Sequence, residues 1–185
     1  DLHAAQIQGF FSIPVDELTA LDLLANYFAG KNFDDLVVVA TDIGITKRAR
    51  DMAERLNAPL AIMEKRRVGN VDQAETLNVI GEVEGRIALT VDDEIDTAGS
   101  LVNVVETLKE HGVKEVYACC THSILSGQAI PRIASSPVKE IVVTDTVPVK
   151  DERKLDKLIV QSTAPLLGEA IHRIHTGKSI GAMFE

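Results

Sequence analysis

From residue 35 onward, short apolar runs alternate with stretches whose apolar residues recur every three or four positions. "DLVVVAT" (35–41), "PLAIME" (59–64), "RIALTVDD" (86–93), "EVYACCT" (115–121), "EIVVTDT" (140–146) and "LIVQST" (158–163) have the length and β-branched content of buried strands. Between them, "TKRARDMAERL" (46–56) places Ala49, Met52, Ala53 and Leu56 on one helical face. "SLVNVVETLKEHG" (100–112) does the same with Leu101, Val104, Val105 and Leu108, and Gly112 is its expected stop. "SGQAIPRIASS" (126–136) reads as a short helix, and "PLLGEAIHRIHTG" (165–177) as a closing one with Pro near its start and Gly at its end. Strands that are apolar almost throughout must be covered on both faces. The alternation therefore implies an α/β fold, a doubly wound and mainly parallel sheet.

One segment departs from the alternation. "KRRVGNVDQAETLN" (65–78) is polar, basic at its head, and is expected to form a loop between two strands. The apolar share of 45% and charged share of 25% are those of an ordinary globular protein, and no apolar run reaches the length of a membrane span. A net charge of −9 argues against a nucleic-acid partner, which would be met by a basic stripe. Cys119 and Cys120 are adjacent in a strand, so their side chains face opposite ways and cannot pair within the chain. Two reduced thiols and no visible signal peptide lead to the expectation of a cytoplasmic protein. The chain opens at Asp1 in mid-pattern and is expected to be the later part of a longer one.

The densest chemistry lies in "TVDDEIDTAGS" (90–100), where an apolar strand runs into three aspartates and a glutamate, then small residues, then a helix. Ligands of doubly wound sheets bind at the carboxyl ends of strands. Thr97, Ala98, Gly99 and Ser100 would let backbone N–H groups approach a phosphate at the positive end of the helix. Asp92, Asp93 and Asp96 would repel that phosphate, but they accept hydrogen bonds from vicinal hydroxyls and suit a divalent cation. Ribose 5-phosphate offers both ends. A surface turn rich in helix-capping residues is the plainer account of the same letters.

"VDDEIDTAGS" resembles the phosphoribosyl-diphosphate (PRPP)-binding loop shared by type I phosphoribosyltransferases and ribose-phosphate pyrophosphokinases, the PRPP synthetases. "DLHAAQIQGFFSIPVDEL" (1–18), "EKRRVGNVDQAETLNVIGEVEGR" (64–86), "THSILSGQA" (121–129) and the tail "AIHRIHTGKSIGAMFE" (170–185) resemble the second family only. The resemblance implies the type I phosphoribosyltransferase-like fold. It implies transfer of the diphosphoryl group of ATP to the 1-hydroxyl of ribose 5-phosphate, giving PRPP and AMP. Residues 1–18 would be a remnant of a missing first domain, 19–160 the ribose 5-phosphate domain, and 161–185 a helix and tail packing on that first domain or on a partner. A fragment of this kind should be inactive alone, and residues 1–18 and the closing helix should pack poorly.

The same resemblance implies roles. Lys65 and Arg67 match the basic residues of the family's catalytic loop, which neutralise charge on the transferring phosphates. His3 and Asp42 match residues that hold Mg²⁺ on ATP, with Asp1 a weaker candidate. Because Mg²⁺ prefers oxygen, His3 would act through water. His122 ends a strand and is a candidate for the border of the site. His111, His172 and His175 read as solvated. Family members form hexamers from dimers, so a homo-oligomer is expected. The alternatives are a phosphoribosyltransferase, for which no base-binding hood is visible, and a non-catalytic regulatory relative, which would have lost Lys65 or the acids.

Departures from the family pattern are local. Ala40-Thr41-Asp42-Ile43-Gly44-Ile45 replaces a Ser-Pro-Asp turn rich in glycine. A left-handed backbone would be costly at Ile45, so the turn should differ. Ser12 stands where many members have Asp. Gly181 stands where the regulatory phosphate site often has Ser, while Ser179 and Phe184 match it.

Overall fold

The computed structural model describes residues 1–66 and 76–184. Arg67 and the rest of 67–75 lie outside the described residues. In chain order the elements are α1 (Leu21–Ala29), β1 (Leu36–Ala40), α2 (Thr46–Arg55), β2 (Leu60–Arg66), β3 (Thr76–Ile80), β4 (Ile87–Ile95), α3 (Gly99–Glu110), β5 (Glu115–Ser123), α4 (Ala129–Ser135), β6 (Glu140–Thr144), β7 (Leu158–Gln161) and α5 (Ala164–Thr176). The strands form one seven-stranded sheet in the order β3-β2-β1-β4-β5-β6-β7. Every neighbouring pair is parallel except β2 and β3.

Both faces are covered, which is why the strands read as unbroken apolar runs. Val37 and Val39 of β1 face a core built with Leu101, Val104, Val105 and Leu108 of α3 and Ile133 of α4. Val38 and Ala40 face the opposite core, with Leu21, Leu24 and Phe28 of α1 and Ala49, Met52 and Ala53 of α2. Cys120 belongs to the first core and Cys119 to the second. Both thiols are free and buried, as alternation along a strand requires. Each fully buried Phe, Leu or Met contributes about 1.5–3 kcal/mol, so these two layers hold the sheet.

Three elements differ from expectation. α1 was not anticipated, although Leu21, Leu24, Ala25 and Phe28 carry the helical spacing and are all buried. The strand expected to end at Asp93 runs on to Ile95. The segment 65–78, expected as a loop, supplies strand at both ends: β2 continues through Lys65 to Arg66, and β3 returns from Thr76. In this antiparallel pair Lys65 lies opposite Leu77. Leu77 and Val79 of β3 pack on the core, while Asn78 and Ile80 are exposed. A strand wetted on one face has no continuous apolar run to announce it.

α5 closes the chain differently. Pro165 sits in its first turn, and Gly177 ends it in the left-handed region (φ +68°). Of its residues only Ala170 is buried. Leu167, Ile171 and Ile174 are exposed, as are Ile7, Phe10, Phe11, Ile13 and Val15 near the start of the chain. Loose packing thus extends over these two segments but not to their first residue, since the Asp1 carboxylate is firmly held. Among the described residues no helix is long and apolar enough to cross a membrane.

Candidate functional site

The strand order reverses between β1 and β4. β1 is followed in sequence by β2 on one side, whereas β4 joins on the other. The crossover helices therefore diverge there and leave a crevice at the carboxyl ends of these two strands, the usual ligand position in such sheets. A cavity of about 350 Å³ occupies it. All seven residues expected to bind the sugar phosphate line this cavity: Asp92, Asp93, Asp96, Thr97, Ala98, Gly99 and Ser100. His3 and Asp42 line it too.

Asp92 and Asp93 are consecutive in β4, yet their carboxyl groups turn toward each other and share a hydrogen bond. Thr41 Oγ1, just beyond β1, donates to Asp92 Oδ2 at 2.8 Å, and the Asp93 N–H donates to Asp92 Oδ1 at 2.9 Å. Burial pushes the Asp92 carboxyl up to about 6. Asp93 also meets His3, with Nδ1 and Oδ2 2.8 Å apart. Burial would raise Asp93 too, but hydrogen bonds from Asp92 and His3 outweigh it and hold this carboxyl below its ordinary value. The hydrogen bond to Asp93, reinforced by its charge, raises His3, which is otherwise well exposed. The pair thus has two differently tuned oxygen acceptors, and among the described residues neither forms an ion pair with a Lys or Arg. Glu94, which the sequence reasoning passed over, also lines the cavity.

The turn after β4 builds the other half of the site. Ala98 is buried with φ +59°, a left-handed conformation that costs a residue with a Cβ about 1 kcal/mol and swings the chain into α3. The first helical bond runs from the Val102 N–H to the Ala98 carbonyl. Among the described residues no N–H from Thr97 to Leu101 donates to a backbone carbonyl. These are the orphan donors of a helix start, at the positive end of a twelve-residue helix. A Cβ placed on Gly99 would come no closer than 3.6 Å to Arg132 Nη1, so glycine there is not forced by crowding within the chain.

The turn after β1 resolves the departure at 40–46. Ile45 is at φ −88°, not left-handed, and no residue from Asp42 to Ile45 has positive φ. Asp42 Oδ1 accepts from the Ile45 N–H at 3.0 Å and closes the turn. Thr41, Asp42 and Ser100 also line a second cavity of about 320 Å³, whose wall includes Lys65. Lys65, expected at the head of a loop, thus projects from a strand into space adjoining the acids.

Two candidates move away from the site. His122 donates or accepts nothing there: its Nε2 lies 2.5 Å from the Asp1 carbonyl and its Nδ1 2.9 Å from Thr146 Oγ1. It lines a separate cavity beside the first residues and α5. The Asp1 carboxylate is not left open for a metal. It accepts from Thr19 Oγ1, the Ala20 N–H and Thr121 Oγ1, and pairs with Arg48 at 2.8 Å, its side chain 2% exposed. Thr41 and Arg48 were missed because their partners lie 51 and 47 positions away, and no local pattern marks them. Among the described residues no three His, Cys, Asp or Glu side chains converge as a metal cage. The oxygen-rich wall nonetheless fits Mg²⁺, which takes one or two carboxylates and fills its shell with water and substrate phosphate.

Comparison with known proteins adds the following. The family model of the phosphoribosyl synthetase-associated domain matches residues 68–185. Over the whole chain, similarity is 55% identity to the ribose-phosphate pyrophosphokinase of Caldanaerobacter subterraneus subsp. tengcongensis and 51% to that of Oceanobacillus iheyensis. The Bacillus subtilis ribose-phosphate pyrophosphokinase is 48% identical. The chain spans 58% of the length of each. The crystal structure of phosphoribosylpyrophosphate synthetase from Mycobacterium smegmatis superposes with a TM-score of 0.87 at 37% identity, covering 96% of this chain and 57% of that one.

Proposed function

Because the chain belongs to the phosphoribosyl synthetase-associated domain family, we propose that it carries the ribose 5-phosphate site of a ribose-phosphate pyrophosphokinase. The longer protein transfers the diphosphoryl group of ATP to the 1-hydroxyl of ribose 5-phosphate, releasing AMP. One observation supports this most: paired aspartates and residues with uncommitted backbone N–H groups line one cavity. The phosphate lies on the N–H groups of 97–101. Asp92 and Asp93 accept from the 2- and 3-hydroxyls, which fixes the ring and turns the 1-hydroxyl outward. In-line displacement at phosphorus needs positioning and charge neutralisation more than covalent help. Lys65 supplies the latter from the adjoining cavity, and Arg67 is given the same role from its match to the family's catalytic loop. Asp42, and His3 through a water, would hold Mg²⁺, which would supply charge neutralisation on the ATP oxygens. The protein works in the cytoplasm as a homo-oligomer.

Calorimetric titration with ribose 5-phosphate tests the placement. The unmodified chain binds, and Gly99→Val weakens binding at least about a hundredfold, because the added methyls stand where the backbone must meet the phosphate. The nearest neighbours of a Cβ there are 3.6 Å and 3.8 Å away, so the fold survives. Unchanged affinity in the variant would sink this assignment. Diphosphoryl transfer belongs to the full-length protein: an AMP-release assay on this chain alone gives no turnover while ribose 5-phosphate still binds.

A further inference from the structure

Three consecutive carbonyls of the turn after β4 are all taken by the segment after β5. Ile95 O accepts from the Leu125 N–H at 3.1 Å, Asp96 O from the Ser126 N–H at 3.0 Å, and Thr97 O from Arg132 Nη1 at 2.9 Å. Consecutive carbonyls in an extended chain point alternately to either side, so three on one side describe a chain turned to fit its neighbour. In a trans peptide the C=O and the following N–H point in opposite directions. Holding these carbonyls toward α4 therefore directs the N–H groups of Asp96, Thr97 and Ala98 away from it. Leu125 is itself left-handed (φ +52°) and 2% exposed, so the donor segment bears strain matching that at Ala98.

Two of the three donors are backbone groups. The third is an exposed side chain on a different element, and it holds the peptide that leads into the left-handed Ala98 and the start of α3. Nothing else among the described contacts restrains the Thr97 carbonyl. Freed, the 97–98 peptide could rotate and withdraw the Ala98 N–H. The guanidinium also brings positive charge to a turn flanked by Asp92, Asp93, Glu94 and Asp96.

We propose that Arg132 is a positioning residue for the phosphate of ribose 5-phosphate, acting through the Thr97 carbonyl; this rests on the phosphate placement above. Arg132→Met in the 185-residue chain weakens ribose 5-phosphate binding about 10- to 100-fold, the worth of one charge-assisted bond, with inorganic phosphate weakened by the same factor. Arg132→Lys, which can still donate to the carbonyl, recovers most of the loss. The melting temperature moves by less than about 2 °C, since the side chain is exposed. The amide resonances of Ala98 and Gly99 shift in Arg132→Met and return in Arg132→Lys. Unchanged affinity in Arg132→Met, or a loss for ribose 5-phosphate not shared by inorganic phosphate, overturns the proposal. Failure of the unmodified chain to bind ribose 5-phosphate would instead remove the phosphate placement itself, and this proposal with it.

Discussion

Two regions of this molecule depart from ordinary burial, in opposite directions. At the carboxyl ends of β1 and β4 the chain buries charge: Asp93 is 5% exposed, and Asp92 is desolvated enough to reach a pKa of about 6. Along α5 and residues 7–15 it exposes hydrocarbon, with Phe10 at 88%, Ile171 at 67% and Ile174 at 60%. Buried carboxylates cost stability unless they are fully bonded. The exposed side chains forgo about 1.5–3 kcal/mol each that burial would have contributed. The first region is held by hydrogen bonds from elements far apart in sequence. The second has few bonds to the rest of the chain beyond its first residue. Crowded acids bound that tightly mark a place where something polar is received, whereas loosely attached hydrocarbon marks a surface rather than a core.

The contrast can be tested from its largest effect downward. Arg48→Met removes the cation facing Asp1 and leaves a carboxylate, 2% exposed, on neutral donors alone. The expected loss is about 3 kcal/mol, which lowers the melting temperature by about 6–12 °C. A change below about 1 kcal/mol, read from urea melts, would mean that the first residues are no better anchored than the segment after them.

Asp92→Asn should act in the opposite direction. The folded pKa of Asp92 is raised to about 6, so between pH about 4 and 6 the folded state holds a proton that the unfolded state has released. Stability from this group therefore falls as pH rises through that window, and the penalty is complete above about pH 7. An asparagine removes it, gaining about 1–3 kcal/mol at pH 7.5 and nothing below pH 4. An asparagine can still accept from the Asp93 N–H and donate to Thr41. Paired urea melts at pH 4 and 7.5 decide the matter, and a gain independent of pH would show that burial of the charge is not the cause.

The smallest effect belongs to the hydrocarbon region. Ile171→Ser should change stability by no more than about 0.5 kcal/mol while reducing concentration-dependent association in sedimentation velocity. Destabilisation of core size would place Ile171 inside the fold and end the comparison.

Much of the sheet was legible because burial on both faces writes itself as continuous apolar runs. β1, β4 and β5 needed nothing more, and the spacing of Leu101, Val104, Val105 and Leu108 announced α3. β3 was hidden because half of it is wet, so its residues read as a polar loop. The small residues of 97–100 and the aspartates before them were legible as a site because they are contiguous. What could not be read were the long-range partners. Nothing in the letters around Asp1 announces Arg48, Thr121 and the Ala20 N–H. His122 was a candidate because it lies near the end of a strand next to the right one, and only its hydrogen bonds show it turned toward Asp1 and Thr146. The same blindness concealed Arg132, whose role depends on a carbonyl 35 positions away.

The two adjacent thiols have a consequence for observing the protein in motion. Burial lifts Cys119 to about 12 and Cys120 well above its ordinary value, so neither is a nucleophile while the layers stay closed. Cys119 faces the layer of α1 and α2, and Cys120 the layer of α3 and α4. A thiol reagent therefore reaches one when the first layer lifts and the other when the second does. Labelling rates at two neighbouring residues become two clocks, each timing the excursions of one side of the sheet, and their ratio tells whether the molecule breathes on one flank or opens as a whole.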